Sequence, residues 1–152
     1  METQEFRQSF DALAQRSGFA RARGANWVRQ SPETIVAINL QRSNYGRFYY
    51  VNFKVWLQGF AGRTYVIDSD LLSDTGHIFR RTPRDYEAAL DLESELPQLD
   101  RVARLAEMFS SLLAPLASAF ATQEGIRRCA LEQPGEIFLL PAVREYLGVQ
   151  SS

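Results

Sequence analysis

Thr34-Ile35-Val36-Ala37-Ile38-Asn39-Leu40-Gln41, returning as Arg47-Phe48-Tyr49-Tyr50-Val51-Asn52-Phe53-Lys54-Val55-Trp56-Leu57, is the stretch that decides the fold. Alternate residues of a strand face opposite sides. Val36, Ile38 and Leu40 share one face of the first arm, and Tyr49, Val51, Phe53, Val55 and Leu57 share one face of the second. A loop over Ser43-Asn44-Tyr45-Gly46 sets Arg42 against Arg47, Leu40 against Tyr49, Ile38 against Val51 and Val36 against Phe53. The three pairs from Leu40 to Val36 are then apolar, and a slip of one residue sets polar against apolar throughout. Gly46 is expected to supply a positive φ at the end of the loop.

The other face carries Ala37, Asn39 and Gln41 on one arm and Phe48, Tyr50, Asn52, Lys54 and Trp56 on the other. Amide side chains offer donors and acceptors together, and aromatics beside them supply contact area at low entropic cost. A face of this kind is either half wet and half covered by a helix or a recognition surface. Asn39, Gln41, Tyr50 and Asn52, rimmed by Arg42 and Trp56, form the candidate patch.

Working outward, Glu2 to Ser17 reads as a helix, with Phe6, Phe10, Leu13 and Ala14 on one stripe and Gly18 at the position that ends it. Phe19 to Gln30 reads as an irregular edge strand bent at Gly24, and Ser31-Pro32-Glu33 turns into the hairpin. Arg63 to Asp68 reads as a short strand, and His77 to Arg81 as a last strand or edge segment. From Ser94 the pattern is helical: Leu99, Val102, Leu105, Ala106, Phe109, Leu112, Leu113, Leu116 and Phe120 make a broad apolar stripe, which Pro115 should kink or interrupt. A short helix is expected from Ile126 to Leu131, then two pieces between Ile137 and Leu147 divided at Pro141, then a frayed tail from 148 to 152. The fold class is α+β: an N-terminal helix, an antiparallel meander of about four strands, and C-terminal helices on one face of the sheet. The chain reads as one domain over 1–152, with the helix at 2–17, the sheet at about 19–81 and the helical part at about 94–147.

Gly18-Phe19, Asn26-Trp27-Val28-Arg29, the run from Ile38 to Gly46 and Tyr49-Tyr50-Val51-Asn52, followed by His77-Ile78 and Arg80, occur in an order that resembles the family known as domain of unknown function 4304. The resemblance covers roughly Phe6 to Leu96. It implies a small α+β domain of bacterial origin and carries no activity with it.

Composition narrows the functions. Hydrophobic content of 45% and charged content of 23% are those of a globular domain. The net charge of −1 supplies no overall pull toward nucleic acid or anionic lipid. Sixteen of the seventeen basic residues are arginine, and Lys54 is the single lysine. One cysteine, Cys129, forms no internal disulfide, which fits a reducing cytoplasm. Glu2 and Glu5 stand where a signal peptide is basic, and no apolar stretch reaches membrane-spanning length. The expected setting is cytoplasmic, without a membrane partner.

Chemistry is sparse. There is no P-loop, dinucleotide fingerprint or nucleophile elbow. His77 and Cys129 stand in no local motif that activates a thiol. Asp68, Asp70 and Asp74 lack the glycine and terminal glutamate of a calcium loop. No cofactor or metal is expected, and catalysis through His77 is not.

The leading expectation is a binding or accessory domain, immunity-like or regulatory, that recognises another protein through the polar-aromatic face. The alternative is a domain that binds or hydrolyses a phosphate-bearing small molecule in a cleft where Asn39, Gln41, Arg42, Tyr50, His77 and Arg80 converge. A single-stranded nucleic-acid surface ranks third. It requires Arg21, Arg23, Arg29, Arg42 and Arg47 to gather beside Tyr45, Phe48 and Tyr50.

Overall fold

The computed structural model describes residues 1–150. Helix α1, Thr3–Arg16, buries Phe6, Phe10, Leu13 and Ala14. It ends as expected at Gly18, whose φ of 92° lets Phe19 N–H reach back to the Ala14 carbonyl and Gly18 N–H to that of Gln15. Five antiparallel strands follow in sequence order: β1 Ala20–Arg21, β2 Asn26–Gln30, β3 Thr34–Arg42, β4 Tyr49–Leu57 and β5 Ile78–Arg81. The Phe19–Gln30 segment supplies two of them, because it folds back on itself around Gly24 with Ala20 opposite Val28.

The parity of the hairpin holds, and its register differs by two residues. Leu40 stands opposite Val51, Ile38 opposite Phe53, Val36 opposite Val55 and Arg42 opposite Tyr49. The loop is displaced by a turn of the chain that keeps Ser43 N–H on the Phe48 carbonyl at 2.9 Å while Arg47 and Phe48 also pair outside the hairpin. Phe48 bridges to Asp91, and the Arg47 carbonyl accepts from Leu92 N–H at 2.8 Å. A shift of two preserves every face, so parity cannot detect it. Gly46 has no positive φ in this wider loop.

The apolar face, including Val36, Ile38, Leu40, Tyr49, Val51, Phe53, Val55 and Leu57, packs under the helices in one core with Phe6, Phe10, Leu105, Phe109, Leu113 and Phe120. The helices after the sheet are α3 Glu87–Leu90, α4 Gln98–Met108, α5 Ala114–Ala119, α6 Gln123–Glu132 and α7 Pro141–Leu147. Pro115 removes a backbone donor and crowds the preceding turn. The interruption takes the form of a π-helical turn over Phe109–Leu113, between α4 and α5. Leu99 does not join the core and is 84% exposed. The inward position in that first turn belongs to Arg101, which is 1% exposed. Val149 is buried and its N–H donates to the Arg144 carbonyl, so the chain is packed past α7. The rest of the expected frayed tail, 151–152, lies outside the described residues. No single helix among the described residues is long and apolar enough to cross a membrane.

Arg63 to Asp68 is not a strand. It runs irregularly into a short helix, α2 Ser69–Ser73, capped by Asp68, whose carboxylate accepts from Leu71 N–H at 2.8 Å. The 63–76 segment lies on the second face of the sheet. There Leu72 packs with Val28, Ile35, Ala37 and Trp56, and Tyr65, Ile67 and Leu71 border them. Gly76 permits the close approach: a Cβ on it would stand 2.9 Å from the Val55 carbonyl oxygen.

Candidate functional site

The second face divides in two. At one end Trp56 is 1% exposed beneath the 63–76 segment. It is a core residue there and not the rim of a patch, because the covering segment lies outside the hairpin whose parity exposed it. At the other end the face is polar and open.

The open part is built on one row across the sheet. Asn26 of β2 stands opposite Asn39 of β3, Asn39 opposite Asn52 of β4, and Asn52 opposite Arg81 of β5. Their side chains form a continuous chain of hydrogen bonds. The Asn26 amide donates to the Arg23 carbonyl at 2.8 Å, the Asn39 amide to Asn26 Oδ1 at 3.1 Å, and the Asn52 amide to Asn39 Oδ1 at 3.1 Å. Arg81 Nε then donates to Asn52 Oδ1 at 3.1 Å. Gln41 Oε1 in the next row accepts from the Asn52 amide at 2.9 Å and from Arg81 Nη2 at 3.2 Å. The guanidinium lies over the Tyr50 ring, 4.2 Å from its centre, and Phe48 meets Tyr50 edge-on. Buried amides must be satisfied, and Asn26 and Asn52, at 9% and 3% exposed, are satisfied by the Arg23 carbonyl, Asn39, Gln41 and Arg81, the last being the partner of Asn52 Oδ1. The row also fixes Arg81, exposed on the face, in two bonds and one stack.

Beside this row a shallow groove of about 610 Å³ is lined by Arg23, Lys54, Arg81, the amides and the hydroxyls of Ser69, Ser73 and Thr75. Lys54 is 7% exposed, and its ammonium donates to the Leu72 carbonyl at 2.9 Å, which ties α2 to the sheet. Burial holds its pKa below the ordinary lysine value, with Asp74 acting the other way. On the far side of Arg81 a second groove, about 660 Å³, runs past Phe48, Tyr50, Thr82, Pro83 and Arg84.

Of the expected site residues, Asn39, Gln41, Tyr50 and Asn52 come together. Arg42, His77 and Arg80 do not join them, so the six-residue cleft of the small-molecule expectation does not form. Arg42 shares the face of Tyr49. Arg80 stands opposite Phe53, on the helix side of the sheet, and pairs with Glu136 at 3.2 Å. Arg81, its neighbour, holds the position on the open face. The five arginines of the nucleic-acid expectation do not share a face either. Arg29 donates to the Ser17 carbonyl and stacks on Phe19, on the helix side, while Arg23 borders the open groove.

His77 lies beyond the Trp56 end. Its Nδ1 accepts from Leu57 N–H at 2.8 Å, and its ring packs against Phe60 and Tyr65. An acceptor nitrogen requires the neutral ring. Burial lowers its pKa below the ordinary 6.5, with Asp74 opposing and Arg63 adding to the effect. The sign follows: the unfolded chain takes up the proton more readily, so this contribution to stability is complete above 6.5 and is lost as pH falls through the folded-state value. Urea unfolding between about pH 7 and about pH 5 should show wild type losing more stability than His77→Gln, which has no imidazole to protonate. Equal pH slopes for the two proteins would contradict this placement.

Cys129 is half-buried in α6, its thiol pushed up by burial and by Glu136. Among the described residues no group of three or more His, Cys, Asp or Glu side chains is placed to hold a metal ion.

Sequence reasoning placed Lys54 on this face without naming it as a site residue, and missed Asn26 and Arg81. Asn26 had a signal: counting back through the Ser31-Pro32-Glu33 turn sets it opposite Asn39. Arg81 had none, because choosing it over Arg80 depends on how β5 aligns with β4. In comparisons with known proteins, residues 10–103 match the model of a domain of unknown function, DUF4304. No curated protein and no solved structure matches the chain.

Proposed function

The chain belongs to the DUF4304 family, and we propose that it is a binding domain that recognises another protein through the open end of its sheet, in an immunity-like or regulatory role. The observation that carries this reading is the amide row. It consumes its own hydrogen bonds to hold Arg81 flat on Tyr50, at the surface, where the guanidinium closes no core. Preorganised arginine and tyrosine are the residue types that dominate protein interfaces. The setting proposed with it is a bacterial cytoplasm, supported by the family resemblance and by a lone cysteine that has no internal disulfide partner.

The test is affinity capture from the source cell, followed by titration of the captured partner against wild type and the double variant Gln41→Ala/Tyr50→Ala. Gln41 is exposed and Tyr50 half-buried, and water can replace the bonds Gln41 gives up. The melting temperature should stay within a few degrees. Binding should weaken by roughly 2 kcal/mol or more, about thirtyfold. A large loss of stability with unchanged binding would assign the row to the fold alone, since each buried polar group left unpaired costs about 1–3 kcal/mol.

A further inference from the structure

We infer that the partner presents an acidic segment to this face, with its carboxylates seated along Arg23, Lys54 and Arg81. The inference rests on the recognition reading above and names the chemistry that reading leaves open.

The groove beside the amide row is lined by three cationic side chains and by no carboxylate. None of the three forms an ion pair among the described residues. Lys54 is the most telling, because a buried ammonium must be hydrogen-bonded and neutralised to retain its charge at low cost. One of its three N–H groups is used, on the Leu72 carbonyl. Asp74, the acid whose field reaches it, lies exposed outside the groove and accepts from Thr75 N–H. Arg81 is tied through Nε and Nη2, which leaves Nη1 without a partner among the described residues. Arg23 donates from Nη1 to Ser69 Oγ at 2.9 Å and is otherwise exposed. Cations with spare donors and no ion-pair partner form a receptor for carboxylate groups.

The spread of the cations selects the source of those groups. Arg23 enters from the β2 side and Arg81 from β5, three strand spacings away, which is about 14 Å. An extended peptide spans that distance in about four residues, with alternate side chains about 7 Å apart on one face. The groove is also shallow and open, which suits a chain laid across it better than an enclosed ligand.

The experiment titrates the full ¹⁵N-labelled protein with a hexaglutamate peptide, a hexaglutamine peptide and inorganic phosphate at matched ionic strength. The signals followed are the Arg81 Nε–H, the Asn39, Asn52 and Gln41 side-chain amides and the Thr75 amide. Hexaglutamate is expected to shift these saturably, and hexaglutamine to leave them in place. Arg81→Met with Arg23→Met should weaken the hexaglutamate interaction about tenfold or more, against about twofold or less for Arg16→Met at the exposed end of α1. Both groove arginines are exposed, and an unchanged melting temperature verifies that the fold survives.

Shifts spread over surface arginines at large, no saturation, or equal weakening by Arg16→Met would overturn the inference. Phosphate saturating the same signals where hexaglutamate does not would also overturn it, in favour of a small-anion site. If hexaglutamate fails while Gln41→Ala/Tyr50→Ala still weakens the captured partner, only the acidic segment is wrong. If both fail, the recognition reading falls with it.

Discussion

Replacing Phe53 with alanine is expected to cost about 3–5 kcal/mol of unfolding free energy, read by equilibrium denaturation in urea. Phe53 sits at the centre of β4, is 1% exposed, and faces Ile38 across the hairpin. Its ring meets Phe120, the residue that ends α5, edge-on at 5.7 Å. The sheet is fixed to that end of the helical layer by more than packing. Thr34 Oγ1 donates to the Phe120 carbonyl at 2.7 Å and Ser31 Oγ to the Ala121 carbonyl at 2.6 Å. With these bonds in place the backbone cannot collapse freely onto the space the ring leaves. The cavity therefore persists and adds to the lost transfer energy. A loss under about 1 kcal/mol would remove Phe53 from the core.

Arg101→Met is expected to destabilise by about 1–3 kcal/mol, although methionine suits a helix and a buried site. The Arg101 guanidinium is held by the last turn of α3 and the chain that follows it. Nη1 donates to the carbonyls of Ala88 at 3.0 Å, Ala89 at 3.0 Å and Asp91 at 2.7 Å, and Nη2 to Ser94 Oγ at 3.1 Å. Removing it strands the buried Ala89 carbonyl and takes one donor each from the carbonyls of Ala88 and Asp91, which keep Ser94 Oγ–H and Ser94 N–H. Each buried acceptor left alone costs about 1–3 kcal/mol. The 88–96 segment also positions Asp91 and Leu92, which pair with Phe48 and Arg47 at the outer edge of the hairpin loop. Hydrogen exchange should therefore rise first in 88–96 and at the 43–48 loop. Arg101→Lys should rescue little, since a single ammonium cannot reproduce the fork. A stability change within about 0.5 kcal/mol would show that water satisfies these carbonyls.

What could be read from the sequence, and what could not, divides by range. The faces of β3 and β4 were legible because period-two alternation is local and nearly every inward position is apolar. The loop was not, because Asp91 and Leu92 pair with Phe48 and Arg47 from about forty residues away. Trp56 was misplaced for the same reason. The parity that put it on the polar face is right, and the segment that buries it carries Tyr65 and Ile67, whose alternation reads as a strand, and Leu72, in a stretch that reads as an acidic turn. Arg101 looks like an exposed charge at helical spacing, and nothing nearby in sequence announces the carbonyls that receive it. For the candidate site, the hairpin supplied Asn39, Gln41, Tyr50 and Asn52. Completion of the row by Asn26 and Arg81 required strand pairings outside the hairpin.

The central claim is that the amide row holds Arg81 ready for a partner and not for the fold. The measurement that tests it most directly is titration of the captured partner against Arg81→Met, with urea unfolding of the same sample. Water in the open groove is expected to replace Arg81 at Asn52 Oδ1, so unfolding free energy should fall by less than about 1 kcal/mol, with binding weaker by roughly 2 kcal/mol or more. Binding unchanged within about threefold, with stability lowered by more than about 1 kcal/mol, would contradict it and make Arg81 the closing link of a structural network.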